Sequence, residues 1–385
     1  MFVCHSFYPC FEAGGVVKSV YEMSKELCVK GHMPTIYTTD GCTKRLNVRT
    51  NIETKYEGIP VIYFKNLSNN LRIKYKIALP YKFIQIIIQN INKFDVIHLN
   101  EYNTTLNIVC YLASIIYNKP IIFQAHGSMM FKSNSKIKRI LRHIFDISIG
   151  KKILKRSKYI IALNEQEKKQ YDQYSINKKK IIILPNSISV KSENVIINKN
   201  RSRFKIVFIG RLHKDKGLDA LLQAAQYLSQ SSYKNKIMFY IVGPDDGCLN
   251  SIKNNIYKHK MKDFVILLGP QYGRKKEIIL KNADIITIPS INETFPMILL
   301  ESLERSKPII ASNIPSIKSI ITNNQEGLLF DKGDGIDMAH KIIHMVNNYE
   351  EAILLGKKGR IKLINKWSSS YVITKLEKIY INSIK

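Results

Sequence analysis

The sequence has few acidic side chains for its length and no long apolar run. Aspartate and glutamate number 30 against 60 lysines and arginines, which gives a formal net charge of +30. No apolar stretch approaches the roughly 18–20 residues that are needed to cross a bilayer, which argues against a membrane-spanning helix. The first residues, Met1–Cys4, are apolar but follow no basic segment, so we expect no secretion signal and a cytoplasmic protein.

Metal and cofactor motifs are also missing. The six cysteines include no C-x-x-C pair and show no metal-binding spacing, and the chain contains no Asp-x-Asp and no G-x-G-x-x-G sequence. We therefore expect reduced thiols, no bound metal ion and no cofactor. Helix-turn-helix, zinc-finger and aromatic-stacking patterns are absent too, so we expect no specific nucleic-acid partner.

The positive charge has two explanations that the sequence leaves open. It indicates an anionic partner, such as a nucleic acid, an acidic membrane surface or a phosphorylated ligand. It is equally typical of a composition rich in lysine, asparagine and isoleucine, which an AT-rich genome favours.

Apolar runs and helical periodicities alternate along the whole chain. The first half contains strand, loop, helix and strand in succession, and the pattern restarts with the apolar run Phe204–Ile209. A polar stretch from Pro185 to Arg203 separates the halves and is the best domain boundary. The sequence therefore predicts an α/β protein with two doubly wound, Rossmann-like domains, residues 1–187 and 188–365, that face each other across a cleft.

One strand–loop–helix segment in the second half is the strongest candidate for a site. The apolar strand Asp284–Ile288 is followed by a loop, and Pro296 stands where a helix can begin. The N-terminus of such a helix suits a phosphate, while Glu293 in the loop and Glu301 on the helix suit hydroxyl groups. A sugar nucleotide offers both kinds of group, although a helix cap with a solvent-facing glutamate fits the spacing as well.

Other strand ends carry glycine, histidine and basic side chains. Gly14 and Gly15 lie between the first strand and the first helix, where a backbone can approach a phosphate or simply turn. His126 ends a later strand, where a parallel sheet places ligands, or where its ring is satisfied by the backbone. In the second half, Arg211 and Lys216 occupy a glycine-bounded loop that suits a phosphate.

These segments, taken in order, resemble the family-4 retaining glycosyltransferases of GT-B fold. The resemblance covers nearly the whole chain and is carried by Phe7-Tyr8-Pro9 with Gly14-Gly15-Val16, Ala125-His126-Gly127, Leu184-Pro185-Asn186, Gly210-Arg211 with Lys216-Gly217, Glu293-x7-Glu301, and Gly327-Leu328-Leu329-Phe330 with Gly333-Asp334. Any one of these motifs is weak, but six in sequence, each at the carboxyl end of a predicted strand, are specific. The resemblance implies an acceptor-binding first domain, a donor-binding second domain, and a last helix, within 366–385, that packs back on the first domain.

The resemblance also implies a role for each site residue. His126 would contact the transferred sugar, and Glu293 would bind sugar hydroxyls. Arg211 and Lys216 would hold the diphosphate and stabilise its leaving charge, and Gly15 would approach it through its backbone. The other residues predicted for the donor site are Gly14, Gly243, Pro270, Gln271, Thr294, Phe295, Pro296, Met297, Ile298 and Glu301, the last of them for the ribose.

This chain departs from the family pattern at three places. Ser187 follows the Pro-Asn pair where glycine is frequent, Pro315-Ser316 stands where Gly-Gly is frequent, and Thr294 replaces a more usual glycine. These differences concern the shape of the loops and the choice of donor more than the class of reaction.

We expect a retaining, metal-independent glycosyltransferase that moves a sugar from a nucleotide donor to an acceptor hydroxyl. A uridine diphosphate sugar is the first choice of donor and guanosine diphosphate mannose the second. The expected acceptor is a lipid-linked glycan in the synthesis of a cell-surface polysaccharide or glycoconjugate. The alternatives are another GT-B enzyme, such as a sugar-nucleotide epimerase or a phosphorylase, and a basic nucleic-acid-binding protein.

Basic and apolar side chains in the first domain predict peripheral attachment to the inner face of the cytoplasmic membrane. Lys136–Arg156 is an amphipathic helix rich in basic side chains, which fits either a core-facing helix with a solvated side or a membrane-surface helix. A second group lies earlier in the chain and comprises Lys65, Arg72, Ile73, Lys74, Tyr75, Lys76, Ile77, Leu79 and Lys82. Both groups together predict docking on an anionic membrane surface.

Overall fold

The computed structural model describes residues 1–75, 77–129, 136–191 and 202–385. The chain divides into two compact units, of which the first contains Met1–Ser189 and Ser369–Lys385 and the second contains Val190–Ser368. The predicted boundary between residues 187 and 188 lies next to the division after Ser189. Each unit is an α/β domain of Rossmann type, as the sequence predicts.

The first unit is built on a largely parallel sheet. Its strands are β1 (Phe2–Val3), β2 (Ile36–Thr39), β3 (Glu53–Tyr56), β4 (Ile59–Phe64), β5 (Ile97–Asn100), β6 (Ile121–Gln124), β7 (Tyr159–Ala162) and β8 (Ile181–Ile183). They lie in the order β3-β4-β2-β1-β5-β6-β7-β8, with β3 and β4 antiparallel and the other neighbours parallel. Its helices are α1 (Gly15–Val29), α2 (Asn69–Tyr75), α3 (Phe83–Asn90), α4 (Thr105–Ile116), α5 (Lys136–Phe145), α6 (Lys151–Arg156) and α7 (Glu165–Lys169).

Apolar side chains on both faces explain why this sheet is buried between helices. Along β6, Ile121 and Phe123 pack in a cluster with residues of α3 and α4, whereas Ile122 packs in a second cluster with residues of α1. Successive side chains of a strand point to opposite faces, so a continuous run such as Ile121–Phe123 requires cover on both sides.

The second unit is a parallel sheet with helices. Its strands are β9 (Phe204–Ile209), β10 (Ile237–Val242), β11 (Val265–Gly269), β12 (Ile285–Ile288), β13 (Ile309–Ser312) and β14 (Leu328–Phe330). They lie in the order β11-β10-β9-β12-β13-β14, with parallel neighbours throughout. Its helices are α8 (Leu218–Ser229), α9 (Leu249–Lys258), α10 (Gly273–Asn282), α11 (Met297–Glu304), α12 (Pro315–Lys318), α13 (Gly335–Asn347) and α14 (Tyr349–Trp367).

The last helix, α15 (Ser369–Ile384), belongs to the first unit, although it follows the second in the chain. Its apolar side, which includes Val372 and Leu376, packs in the same buried cluster as Val20 and Met23 of α1. Tyr380 adds a hydrogen bond between its hydroxyl and the Nδ1 atom of His98, at 2.6 Å.

Each sheet has a topological switch point, on either side of which successive strands of the chain are added in opposite directions. In the first unit, β1 lies between β2 and β5, and in the second unit β9 lies between β10 and β12. Loops diverge at the carboxyl ends of strands at such a point, and open α/β sheets bind their ligands there. The loops after β1, β9 and β12 are therefore the natural places for a site.

The structure corrects two local predictions of secondary structure. The single helix predicted at Lys136–Arg156 is interrupted by a π-helical turn at Asp146–Gly150, where an extra residue is accommodated between α5 and α6. The hairpin of β3 and β4 was not expected. Its turn contains Glu57 and Gly58, both with positive φ (47° and 85°), and a glycine at such a turn is the signal that could have revealed it.

The expectation of reduced thiols is wrong for one pair of cysteines. Cys10 and Cys42 form a disulfide, with their Cα atoms 5.7 Å apart. Cys10 follows β1 and Cys42 follows β2, and these strands are neighbours in the sheet. The pairing depends on this adjacency, which sequence spacing does not show. Cys4, Cys28, Cys110 and Cys248 remain thiols.

The surface of the first unit selects between the two predicted alternatives for α5 and contradicts the prediction for Arg72. The apolar side chains of α5 do not face a core, since Ile137, Ile140 and Ile144 are all more than half exposed, and Phe145 is the buried one. Arg72, predicted to be part of a basic surface, is only 7% exposed, because its Nη2 atom donates to Ser6 Oγ inside the unit. Lys76 and the side chain of Lys74 lie outside the described residues.

Candidate functional site

The loops after β9 and β12 meet at the carboxyl edge of the second sheet. Ile291 and Asn292 donate their backbone N–H groups to the carbonyl of Asp215, at 2.8 and 3.3 Å. Gly217 makes this approach possible, since a Cβ atom there would lie 1.8 Å from the carbonyl oxygen of Pro289. The two loops that sequence patterns single out in the second half thus form one surface.

Replacing Gly217 with alanine is therefore expected to separate these loops. Gly217 has a positive φ of 65°, and alanine pays about 1 kcal/mol for that conformation in addition to the clash. We expect a loss of unfolding free energy of about 2–4 kcal/mol, measured by urea titration. Gly333→Ala is the matched control, because Gly333 also has a positive φ but no atom within 4 Å of a Cβ. Equal losses in the two variants would contradict the close approach.

Lys216 and Glu293 face each other across this surface. The Nζ atom of Lys216 forms an ion pair with Oε1 of Glu293, and Ser290 Oγ donates to the same oxygen at 3.1 Å. Both charged side chains are largely but not completely buried, with exposed fractions of 20% and 13%. A hydroxyl donor and a lysine thus orient one carboxylate, while the lysine remains accessible to an anion.

Arg211 lies in the same loop as Lys216 and forms an ion pair with the carboxylate of Asp246. Its Nη1 atom contacts Oδ2 of Asp246, in the loop after β10, and both side chains are exposed. The loops after β9 and β10 are close because a Cβ atom at Gly243 would lie 1.7 Å from the carbonyl oxygen of Gly210. The structure therefore places the predicted residue Gly243 beneath the loop of Arg211.

Glu301 is a buried carboxylate with a basic partner. It lies on α11, is only 2% exposed, and its Oε2 atom is 2.6 Å from Nζ of Lys276. A helix cap with a solvent-facing glutamate, the alternative that the sequence left open, is thus excluded for Glu301. A carboxylate oriented by such an ion pair suits hydroxyl groups as hydrogen-bond donors to it.

The residues around the start of α11 are mostly buried. Pro296 is the N-cap and Met297 the first helical residue. Phe295 packs edge-on against Trp367, with ring centroids 6.5 Å apart. Of the predicted donor-site residues here, Thr294, Phe295, Pro296 and Met297 are buried and Ile298 is partly exposed. Their backbone groups, rather than their side chains, are what this helix N-terminus offers to a ligand.

Pro270 and Gln271 lie farther from the basic loop. They follow the edge strand β11, which β10 separates from β9, and the amide of Gln271 donates to the carbonyl of Leu268 at 2.9 Å. They connect to the site through the next helix, since Lys276 of α10 pairs with Glu301. The loop of Pro270 and Gln271 thus leads into the helix whose Lys276 contacts Glu301.

In the first unit, Gly14 and Gly15 form the start of α1. Gly14 is the N-cap with a φ of 75°, Gly15 is the first helical residue, and both are exposed. Because no atom lies within 4 Å of a Cβ built at Gly14, its requirement for glycine is conformational. The helix N-terminus is therefore open and presents its N–H groups and partial positive charge to an anion.

His126 follows β6 with its ring held in one orientation. The amide nitrogen of Asn100 donates to the carbonyls of Val3 and His98, so its Oδ1 atom is left to accept from Nε2 of His126, at 2.8 Å. The Nδ1 atom then carries a lone pair, and it has no hydrogen-bond partner among the described residues. Burial lowers the pKa of His126 to about 3, so the ring is neutral. Its Nδ1 atom can therefore accept a hydrogen bond from a hydroxyl group.

The sequence analysis did not predict several residues that contact the candidate site. Ser290, Asp246, Lys276 and Asn100 all contact predicted residues, yet none of them was predicted as a site residue. Ser290 and Asp246 adjoin strand ends that were recognised, so the rule that ligands gather there could have found them. Lys276 lies on a helix that was not predicted, and no sequence signal links it to Glu301.

Across residues 1–75, 77–129, 136–191 and 202–385, no group of three histidine, cysteine or carboxylate side chains is arranged to hold a metal ion. Within the same residues, every helix is too short or too polar to cross a lipid bilayer.

The fold is matched by solved structures. Sucrose-phosphate synthase from Thermosynechococcus elongatus superimposes with a TM-score of 0.78 at 16% identity, over 99% of this chain and 98% of that chain. The Anabaena protein HepE, solved in complex with UDP and glucose, gives a TM-score of 0.74 at 15% identity, over 99% and 98%. At these identities the likeness shows the fold, which is GT-B.

Curated relatives match most of the chain as well. An Escherichia coli UDP-Gal:alpha-D-GlcNAc-diphosphoundecaprenol alpha-1,3-galactosyltransferase is 24% identical over 304 residues, 76% of each chain. The N-acetyl-alpha-D-glucosaminyl L-malate synthase of Bacillus anthracis is 22% identical over 391 residues, 98% of this chain and 96% of the relative.

Two family models match adjoining parts of the chain. The model described as Glycosyltransferase Family 4 matches residues 13–192, and the model described as Glycosyl transferases group 1 matches residues 190–362. Since both halves match in order and the fold is GT-B, the chain belongs to the family-4 glycosyltransferases.

Proposed function

We propose that this protein transfers a sugar from a uridine diphosphate sugar to a hydroxyl group of a lipid-linked glycan, with retention at the anomeric carbon. The observation that carries the proposal is the ion pair of Lys216 with Glu293 at the switch point of the second sheet, with Arg211 on the same loop as Lys216. Two cations suit a diphosphate, and an oriented carboxylate suits sugar hydroxyls.

The positive charges on this surface suit a reaction in which the diphosphate leaves and the acceptor hydroxyl takes its place. The bond between the anomeric carbon and the diphosphate oxygen breaks, and negative charge grows on that oxygen. Arg211, Lys216 and the N-terminus of α11 stabilise this charge. The acceptor hydroxyl forms the new bond on the same face of the sugar, and its proton passes to the leaving phosphate oxygen. Glu293 and His126 hold hydroxyls of the sugar, so no side chain has to act as a nucleophile.

The choice of donor rests on the relatives and neighbours. HepE was solved with UDP and glucose, and the name of the E. coli relative specifies UDP-Gal. The buried carboxylate Glu301, held by Lys276, suits the ribose hydroxyls that every nucleotide sugar carries. Guanosine diphosphate mannose therefore remains the second choice.

The proposed acceptor is a glycan on a lipid carrier at an anionic membrane. The E. coli relative is named for a diphosphoundecaprenol acceptor. Exposed apolar side chains on α5, such as Ile137 and Ile140, alternate with exposed Lys136 and Arg139. Helices α3 and α4 contain no charged residue and expose a second apolar group, which consists of Ile84, Ile88, Leu112, Ile115 and Ile116. Apolar side chains beside lysines suit the surface of an anionic membrane.

The test is a donor panel followed by an acceptor test. Thermal unfolding is recorded with UDP-glucose, UDP-galactose, UDP-N-acetylglucosamine and GDP-mannose, since a ligand of the folded state raises Tm. Release of nucleoside diphosphate is then measured with and without a diphosphopolyprenol-linked N-acetylglucosamine. Release that needs the acceptor supports transfer. Conversion of the donor without acceptor indicates an epimerase, and a Tm indifferent to every sugar nucleotide contradicts the proposal.

Activity is expected to persist in the presence of a chelator. In this proposal Arg211 and Lys216 supply the positive charge that a metal ion supplies in other enzymes. The rate of diphosphate release is measured with and without EDTA. Loss of the rate in EDTA and its return on addition of manganese or magnesium would contradict the expectation.

Binding to anionic vesicles is expected to depend on α5. Wild-type protein is sedimented with phosphatidylglycerol-containing or phosphatidylcholine-only vesicles, and we expect binding to the former that falls as salt rises. Serine at Ile137, Ile140 and Ile144, or glutamine at Lys152 and Lys155, should weaken it. Serine at Tyr257, Ile278 and Ile361, which are exposed apolar positions of the second unit, is the matched control. Sedimentation indifferent to lipid charge would remove the membrane proposal and leave the transferase proposal intact.

A further inference from the structure

Glu167 is a buried carboxylate that joins two strand ends of the first unit. It lies on α7 and is completely shielded from solvent. Its Oε1 atom accepts the backbone N–H of Gly127 at 2.5 Å, and its Oε2 atom accepts the backbone N–H of Leu163 at 2.7 Å. One side chain thus connects the turn after β6, which carries His126, to the end of β7.

The turn that Glu167 contacts is held in an uncommon conformation. His126 and Gly127 both have positive φ, 52° and 77°. A histidine in this region costs about 1 kcal/mol and persists only where its surroundings hold it. The holding contacts are the bond of His126 to Asn100 and the bond of Gly127 to Glu167. Without the bond between Gly127 and Glu167, only the hydrogen bond of the His126 ring to Asn100 would hold the turn.

The contacts of Glu167 favour an ionised carboxylate. Both of its oxygens accept from N–H donors, and an ionised carboxylate has only acceptor sites. The hydroxyl oxygen of a protonated acid is a weaker acceptor, and an amide would place its NH2 group against one of the two donors, either at Gly127 or at Leu163. The bond lost in that way would leave a buried N–H group without its partner, which costs roughly 1–3 kcal/mol.

We infer that Glu167 is a positioning residue for sugar transfer, which holds the His126 turn in place while its carboxylate is ionised. The inference rests on the proposed function, in which His126 contacts the transferred sugar. Glu167 itself acts through the backbone of Gly127.

The charge state of Glu167 changes within the accessible pH range. Burial raises its pKa to about 7, against the opposing effect of the two N–H donors. Two other buried titratable groups lie near Glu167, and both are neutral at that pH. Burial raises the pKa of Tyr171 well above its usual range, and burial lowers the pKa of His126 to about 3. On α7 itself, Glu165 and Lys169 are exposed.

The effects of this pKa on stability and on activity have opposite signs. Because the folded-state pKa lies above the ordinary value of 4.5, the folded chain keeps the proton longer than the unfolded chain. The contribution of Glu167 to stability is therefore full below about pH 4.5 and is lost as the pH rises toward 7. Activity should instead fall as the pH drops below 7. If protonation of Glu167 lowers activity at acid pH, that loss is therefore not caused by a destabilising effect of Glu167 on the fold.

The experiment compares pH profiles of the full-length protein. We measure kcat and the donor KM from pH 5.5 to 8.5 for wild type, Glu167→Gln and Glu165→Gln. Wild type and Glu165→Gln should lose kcat below an apparent pKa near 7. Glu167→Gln should have a kcat lower by about 10- to 100-fold at pH 8, a nearly unchanged donor KM and no inflection near 7. Urea titration of each variant shows that it is folded.

A second readout does not depend on activity. In wild-type protein labelled with 15N-glycine, the NMR chemical shift of the Gly127 amide should change with pH, with a midpoint near 7. The same change should occur in Glu165→Gln and be absent in Glu167→Gln. A wild-type kcat without an inflection near 7, or an unchanged inflection in Glu167→Gln, overturns the inference even if that variant folds poorly. A Gly127 signal that titrates while kcat does not would show a structural role only. A wild type that consumes no sugar nucleotide at any pH contradicts the proposed function, and the positioning role falls with it.

Discussion

Alanine at Lys216 or at Arg211 is expected to cost about 2–4 kcal/mol of transition-state stabilisation in each case. Both cations occupy the loop after β9, at the switch point of the second sheet. In the proposed reaction the leaving diphosphate gains charge as its bond to the sugar breaks, so a preorganised cation is worth more in the transition state than in the bound donor. The value of kcat/KM measures this loss directly.

The matched control for these variants is Lys214→Ala. Lys214 lies in the same helical turn as Lys216, but its side chain is exposed. Its removal changes the net charge equally, and we expect less than a threefold effect because Lys214, unlike Lys216 and Arg211, pairs with no carboxylate among the described residues. Losses below tenfold for both Lys216→Ala and Arg211→Ala, or an equal loss for Lys214→Ala, would show that the loop does not hold the diphosphate.

Glutamine at Glu293 and at Glu301 is expected to affect different steps. Glu293 forms an ion pair with Lys216 and accepts from Ser290, so its loss disturbs both the sugar and the catalytic lysine. We expect kcat to fall by about 100-fold, which is the scale of a misplacement of about 1 Å at a reacting centre. Glu301 is not part of that ion pair and is buried against Lys276. Its replacement should mainly raise the donor KM, by roughly tenfold, which corresponds to the loss of one charged hydrogen bond.

The two effects are separated by steady-state kinetics with the best donor. Glu277→Gln is the control, because Glu277 lies on α10 beside Lys276 but is exposed and pairs with Lys191 at the surface. A double-mutant cycle with Lys276→Met and Glu301→Gln then tests whether the lysine acts through the glutamate. Wild-type kinetics in both glutamine variants would contradict the site, and equal effects on kcat and KM in both would contradict the division of roles.

Sequence patterns were enough to predict the class of fold and to select candidate loops for the site. Apolar runs separated by helical periodicity predict strands and helices locally, because the spacing of apolar residues decides which face each element buries. The rule that ligands gather at the carboxyl ends of parallel strands then selects the loops of Gly14, His126, Arg211 and Glu293. Both steps use information that is local in the chain, and the comparisons confirm the family and the fold.

Contacts between distant segments could not be predicted in this way. Lys276 is 25 residues from Glu301, and Cys10 is 32 residues from Cys42, yet each pair is in contact. Arg72 has exposed Leu71 and Ile73 on either side of it, so only the packing of α2 shows that Arg72 points inward. The pKa of Glu167 is likewise a property of its burial and of its two backbone donors.

The sequence by itself thus determined the order of the elements, the type of each domain and the residues at the strand ends, because these depend on near neighbours in the chain. Only the tertiary structure decided which of those residues touch, which charges are buried and which apolar faces remain exposed. The adjacency of β9 to β12 brings Lys216 to Glu293 across 77 residues, and the packing of α7 on the end of β6 brings Glu167 to the His126 turn. Burial then changes the chemistry of both Glu167 and His126, since removal of water disfavours the charged form of each.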